Sequence, residues 1–191
     1  QLNPVVGAIN GNIDKVREAR RQAASKGADL VVCSELVVSG YPPEDLVLKP
    51  FFLKKVEDAV QAFAEETGDG GPAVLLTAPW RDGGATYNAV LLLEGGKIAA
   101  TRFKRDLPNY GVFDEMRVFE PGPMPGPIDF KGVRIGVPIC EDIWTPDVPE
   151  CLVESGAEIL LVPNGSPYDI AKTDQRLQHV MARVTETGLP L

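Results

Sequence analysis

The chain has 191 residues, 44% of them hydrophobic and 24% charged, with a formal net charge of −8. That length supports one sizeable domain with its own core, and the acidic balance argues against nucleic acid or an anionic membrane surface as the main partner. No apolar run approaches the roughly 20 residues of a membrane span, and three cysteines with no Cys-x-x-Cys pair make neither a disulfide framework nor a zinc site, which points to a reducing, cytoplasmic setting.

Ile13, Val16, Ala19, Ala23 and Ala24 recur at helical spacing and predict a helix over 12–26, with Asn12 as its cap and Gly27 as its stop. Residues 29–34 read as a short, continuously apolar strand, and Gly40-Tyr-Pro-Pro43 as a loop. A second amphipathic helix is predicted over 52–66, closed by Gly68-Asp-Gly-Gly-Pro72, with a strand over 73–78 beyond it. Residues 86–93 and 97–103 flank Glu94-Gly-Gly96 and read as a β-hairpin. The stretch 104–127 is rich in Pro and Gly and predicts a long irregular loop, a kind more often functional than idle. A second hairpin is expected from 128–130 and 133–139 around Lys131-Gly132. A short helix over 149–155, a strand over 158–162 and a helix over 170–187 complete the pattern.

Helices alternate with strands that are often joined as hairpins, so the fold class is α/β with a mixed rather than a purely parallel sheet. There is no Gly-x-Gly-x-x-Gly and no Walker-type loop, and Gly68-Asp-Gly-Gly71 follows a helix instead of opening one, which makes it a poor phosphate cradle. Gln1-Leu-Asn-Pro4 reads as the tail of a strand and Gly188-Leu-Pro-Leu191 stops where another strand could begin. The chain is therefore expected to be a piece of something longer.

The chemistry-bearing candidates lie where strands end. Val133 to Ile139 leads into Cys140-Glu-Asp-Ile-Trp144, delivering a thiol to the end where α/β proteins keep their chemistry. Acids beside a thiol raise its pKa, so a reactive Cys140 needs a cation from elsewhere. Lys104 supplies one, and Glu35, after the apolar run Leu30-Val-Val-Cys33, supplies a base. Each has a plain alternative: Cys140 as a small buried hydrophobe, Glu35 as a surface carboxylate, Lys104 as a solvated lysine. Cys33 and Cys151 read as structural, the single histidine His179 as a helix-surface residue, and Phe51, Trp80 and Tyr87 as packing. Taken together, Glu35 would remove the thiol proton, Cys140 would attack a carbonyl carbon, and Lys104 would offset the charge on the thiolate and then on the oxyanion. A backbone N–H just after Cys140 would be a second oxyanion donor.

These segments resemble the nitrilase, or carbon–nitrogen hydrolase, superfamily, whose members use a Glu-Lys-Cys triad on an αββα sandwich. Ser39-Gly-Tyr-Pro-Pro-Glu-Asp-Leu46, Leu107-Pro-Asn-Tyr-Gly-Val-Phe-Asp-Glu115, Ile139-Cys-Glu-Asp-Ile-Trp144 and Pro163-Asn-Gly-Ser-Pro-Tyr168 are similar to the N-terminal glutaminase domains of the glutamine-dependent NAD⁺ synthetase family. The resemblance implies a nitrilase-like αββα sandwich with mixed sheets, incomplete at both ends here. It implies Glu35 as base, Lys104 as electrostatic partner and Cys140 as nucleophile. It also implies Tyr110, Ser166, Lys172, Glu141, Tyr41 and Phe113 as contacts for L-glutamine, Glu141 meeting the α-ammonium, with Glu115 supporting the lysine or a water. Glutamine would lose ammonia through a thioester. The ammonia would pass to a C-terminal synthetase domain using ATP, Mg²⁺ and nicotinic acid adenine dinucleotide, whose Ser-Gly-Gly-x-Asp-Ser loop is not in this sequence. No cofactor is implied for the glutaminase domain itself, and homo-oligomers are expected. Two other readings stay open: a free-standing amidase acting on another ω-amide or carbamoyl substrate, and a non-catalytic α/β binding module.

Overall fold

The computed structural model describes residues 2–167 and 172–191, with the backbone alone for Lys172 and Thr173. Helix α1 (Ile9–Ser25) leads to β1 (Leu30–Val32), and α2 (Pro50–Glu66) to the meander β2 (Ala73–Asp82), β3 (Ala85–Glu94) and β4 (Lys97–Phe103). After a long irregular stretch come β5 (Ile128–Phe130), β6 (Val133–Gly136), α3 (Asp147–Glu154), β7 (Ile159–Leu160) and α4 (Lys172–Thr187). β1 pairs parallel with β2 while β2, β3 and β4 pair antiparallel; in the second sheet β5–β6 is antiparallel and β6–β7 parallel. Both sheets are mixed, as the alternation of hairpins and helices predicted.

Side-chain alternation in β2 and β3 builds two cores from one sheet. Val74, Leu76, Ala89, Leu91 and Leu93 pack under α1 and α2 with Val16, Val56, Val60 and Phe63. Their neighbours Leu75, Val90 and Leu92 face the other way, against Ile128, Phe130, Ile135 and Val137 of the second sheet. Burial on both faces explains why these strands read as continuous apolar runs, and each fully buried Leu or Val contributes about 1.5–3 kcal/mol. Leu152 and Val148 of α3 close the outside of the second sheet over Leu160. The layers are helix, sheet, sheet, helix, as the resemblance implied.

Several boundaries differ from those expected. α1 begins at Ile9, so Asn12 lies inside it and is not its cap. The Asn12 amide is fully buried and ties the N-terminal strap to the core: Oδ1 accepts the Val5 N–H at 2.8 Å, and Nδ2 donates to the carbonyls of Val5 and Val38. Gly27 does stop the helix, at φ +71°, with its N–H on the Ala24 carbonyl and the Ala28 N–H on that of Ala23, the paired bonds of a Schellman ending. α2 starts two residues early because Pro50 suits a first helical turn. β2 runs on to Asp82, past the expected end at Ala78, and turns through Gly83-Gly84, both at positive φ, a two-residue hairpin beyond the two expected. Phe51, expected as packing, is 72% exposed.

Candidate active site

The end of the sandwich where the two sheets meet gathers every strand-end candidate. β1 stops at Val32, but the chain keeps close to β2: the Cys33 N–H bonds the Leu75 carbonyl and the Val38 N–H that of Thr77. Glu35 lies between these anchors and is 1% exposed, so it is no surface carboxylate. Leu36, next to it, has φ +48°, the left-handed turn that takes the chain away from the sheet. Lys104 directly follows β4; its N–H bonds the Asn88 carbonyl, and its side chain is wholly buried.

The Lys104 ammonium holds the site together. Nζ donates to Glu35 Oε1 at 2.7 Å and to both oxygens of Glu115 at 2.9 Å. Burial works against its charge, but Glu35 and Glu115 outweigh that and hold it protonated above its ordinary range. Burial pushes the Glu115 carboxyl up; Lys104 pulls it back and Glu35 adds to the rise. The Tyr41 hydroxyl, expected to meet substrate, donates to Glu115 Oε1 at 2.9 Å. Its ring still lines the cleft.

Cys140 is not the last residue of a strand. β6 ends at Gly136, three extended residues follow, and Cys140 opens a one-turn 3₁₀ helix (Cys140–Ile143) at φ +46°. That backbone conformation is rare for a residue with a side chain and stores strain where it occurs. The Cys140 N–H is tethered to the Pro163 carbonyl at 2.9 Å, and Sγ lies 3.4 Å from Asn164 Oδ1. Burial, then the charge of Glu35, pushes the thiol well above its usual range, while Lys104 and the Gly165 N–H act in the opposite direction. At rest Cys140 is therefore a thiol with a base against it, not a free thiolate.

Two residues that sequence reasoning passed over complete the frame. Asp142, 1% exposed, accepts the N–H groups of Arg105 and Asp106 on Oδ1 at 3.0 and 2.7 Å and that of Ile139 on Oδ2 at 2.8 Å. It thereby joins the loop after Lys104 to the turn that presents Cys140. Burial nonetheless pushes its carboxyl up to about 7 against the pull of those N–H groups. Asn88, wholly buried on β3, donates Nδ2 to Glu35 Oε1 at 2.8 Å. The one local signal for Asn88 was an amide standing beside an otherwise apolar run.

A cleft of about 460 Å³ opens on this frame, lined by Glu35, Tyr41, Asn164, Gly165, Ser166 and Arg176 among others. Ser166 is thus at the cleft, its N–H held by Asn164 Oδ1 at 2.7 Å. Tyr110 and Glu141 do not line this cleft but meet in a separate groove with Arg105 and Pro108, hydroxyl to carboxylate at 2.9 Å; burial first and Glu141 second push the phenol up to about 12. Phe113 is buried with its ring edge-on to Tyr110 at 5.3 Å and tilted to Tyr41 at 6.4 Å. The side chain of Lys172 and all of Tyr168 lie outside the described residues. His179, expected on a helix surface, lies tilted against Trp144 with ring centres 4.3 Å apart; Tyr87 stacks on Phe103 at 4.2 Å and burial pushes the Cys33 thiol up to about 12, in keeping with their reading as packing and structural residues.

A protonated thiol, a carboxylate base against it and a buried ammonium between two carboxylates make an arrangement fit for acyl transfer from a small amide. Known proteins share this sequence and fold. The chain is 47% identical over 191 residues to a glutamine-dependent NAD⁺ synthetase of Rhodobacter capsulatus, covering all of this chain and 34% of that protein. It is 42% identical to one of Thermotoga maritima over 90% of this chain and 30% of that protein. The structure superposes on a glutamine-dependent NAD⁺ synthetase of Acinetobacter baumannii with a TM-score of 0.92 and 34% identity, covering 99% of this chain and 36% of the other. It shares its fold with an amidase of Nesterenkonia sp. AN1, at a TM-score of 0.82 and 23% identity, covering 99% and 71%. The chain thus spans about a third of the length of the synthetases it matches. The carbon–nitrogen hydrolase family model matches residues 1–191, end to end. With the αββα layers and the Glu-Lys-Cys cluster in place, the chain belongs to the carbon–nitrogen hydrolase family.

Proposed function

We propose that residues 1–191 form the glutaminase domain of a glutamine-dependent NAD⁺ synthetase, hydrolysing L-glutamine to supply ammonia. The observation that carries this reading is the buried Lys104 ammonium between Glu35 and Glu115, with Cys140 tethered at the same end of the sandwich, in a chain 47% identical to a protein of that name. Glu35 takes the Cys140 proton as Sγ attacks the side-chain amide carbon of glutamine. Lys104 and the Glu141 N–H, a first-turn donor left without an intrahelical partner, stabilise the oxyanion. Glu35 returns the proton to the departing nitrogen, so ammonia leaves and a γ-glutamyl thioester remains. Glu35 then takes a proton from water, hydroxide adds to the thioester carbon, and collapse expels the sulfur, which recovers its proton as glutamate leaves.

Ser166, Glu141, Tyr110, Tyr41, Phe113 and Lys172 are assigned to holding glutamine, Glu141 as the counter-charge for the α-ammonium. Glu115 fixes Lys104. The synthetase domain, with its ATP, Mg²⁺ and nicotinic acid adenine dinucleotide, belongs to the remaining two-thirds of the full-length protein, read as a cytoplasmic homo-oligomer. The test is ammonia release from L-glutamine by the full-length protein and by Cys140→Ala, with and without ATP and nicotinic acid adenine dinucleotide. The wild type releases ammonia, the synthetase substrates raise the rate, and the variant is silent. Hydrolysis of other amides but not of glutamine would instead identify a general amidase, and an unchanged Cys140→Ala would remove the nucleophile assignment.

A further inference from the structure

We infer that Asn88 is a positioning residue that dictates which oxygen of Glu35 receives the Cys140 proton. The inference rests on the hydrolase reading given above. Glu35 presents two chemically equal oxygens, and the site treats them unequally. Oε1 is filled by Lys104 Nζ at 2.7 Å and Asn88 Nδ2 at 2.8 Å. Among the described residues Oε2 has one long hydrogen bond, from the Gly165 N–H at 3.2 Å, and so keeps a lone pair open for the thiol proton. The orientation of the Asn88 amide is fixed by its partner: only the NH₂ group can face a carboxylate.

Position 88 argues for a task rather than for packing. By strand alternation Asn88 shares the face of Val90 and Leu92, which pack in the core between the sheets. Asn88 Oδ1 is buried there with no hydrogen-bond partner among the described residues. An apolar residue would leave no polar atom stranded, so the amide is kept at a loss to the fold. Its backbone carbonyl meanwhile accepts the Lys104 N–H at 2.8 Å. One residue of β3 thus registers both the base and the ammonium. Without Asn88, Lys104 on Oε1 and the long Gly165 contact on Oε2 would be the remaining holds on the carboxylate; Asn88 adds a second short donor to Oε1 and keeps that oxygen, not Oε2, turned to the lysine.

The step concerned is transfer of the thiol proton: the Cys140 S–H bond breaks, an Oε2–H bond forms, and the sulfur electron pair goes to the electrophile. Alkylation by iodoacetamide tests it without any natural substrate. Sγ displaces iodide, and the proton passes from Glu35 to solvent. In the full-length protein, Asn88→Ala lowers the Cys140 alkylation rate, followed by mass spectrometry, tenfold or more. It lowers kcat for glutamine by a similar factor and leaves KM within threefold. Asn88→Asp keeps the side-chain shape but sets a second carboxylate against Oε1. The two then share a proton, and the acid limb of the kcat/KM profile moves up by about one pH unit or more. Rates are taken per folded molecule. Variants that lose yield yet keep wild-type rates and an unmoved pH profile would show a structural role only and overturn the inference. A wild type that resists iodoacetamide as fully as Glu35→Gln overturns the base assignment itself. Failure on glutamine with Asn88-dependent alkylation would sink only the substrate.

Discussion

Lys104→Met keeps the length of the side chain and removes its charge from between two buried carboxylates at the floor of the cleft. The wild-type ammonium touches two carboxylates, Glu35 at 2.7 Å and Glu115 at 2.9 Å, with Lys104 wholly buried. Without it, two buried like charges remain side by side, and the folded variant relieves them by binding a proton. Against an ordinary glutamate pKa of about 4.3, holding that proton at pH 7 costs about 3.7 kcal/mol at about 1.36 kcal/mol per pH unit. That agrees with the roughly 3–5 kcal/mol expected for breaking a buried ion pair from one side. The folded variant then carries one proton more than its unfolded chain, so its stability falls by about 1.4 kcal/mol for each pH unit gained. The loss relative to wild type is about 2.3 kcal/mol at pH 6 and about 5 kcal/mol at pH 8. The sign follows Glu115, whose carboxyl burial pushes up and Lys104 restrains. Urea titrations at pH 6, 7 and 8, followed through Trp80 and Trp144, measure it. Lys104→Met/Glu115→Gln removes one of the two charges and flattens the pH dependence. A loss that is constant from pH 6 to 8, or below about 1 kcal/mol at pH 8, would refute the account.

Two further perturbations probe the frame. Asp142→Asn keeps one oxygen for the Arg105 and Asp106 N–H pair and turns its NH₂ against the Ile139 N–H, which the wild type bonds at 2.8 Å. Two buried donors then face each other, and the fold loses about 1–3 kcal/mol; an unchanged urea midpoint would show that Asp142 is not the tie described. Gly165→Ala puts a methyl 3.1 Å from Glu35 Oε2 and 3.2 Å from its Cβ. It displaces the base, so kcat for amide hydrolysis falls about tenfold, about 1.4 kcal/mol of barrier, with KM little changed; a rate within twofold of wild type would show that Oε2 has room to spare.

The layers of the fold were legible because their signals are local. Residues 89–93 read as strand since both faces of β3 are buried, and Gly95-Gly96 and Gly27 announce a hairpin and a helix stop through conformations that glycine adopts freely. Helix α1 was misjudged at its start because Asn12 has the chemistry of a cap but spends it on Val5 and Val38. Glu35, Lys104 and Cys140 were legible as polar residues at the ends of apolar runs and as one base, cation and thiol, though their contacts with substrate came from family resemblance. Asn88 and Asp142 were not legible. Asn88 finds Glu35 across 53 residues of chain and Asp142 finds Arg105 across 37, and no local pattern encodes a hydrogen bond at that range. What each side chain means is decided by which strand ends the two sheets bring together.

That the base, the ammonium and the thiol hang from separate strand ends of two sheets has a consequence for synthesis. Glu35 follows β1 and Lys104 follows β4 of the first sheet, which pairs β1 to β4 and is complete by residue 103. Cys140 joins them once β6 has emerged and docked, and its N–H tether, Pro163, arrives after β7. A growing chain therefore exposes its cysteine before the anchor that seats it against the base has been made. During that interval the thiol has only the ordinary reactivity of free cysteine. Closure of the second sheet onto the first then converts it to a working group, so chemical competence arrives together with native packing and cannot precede it.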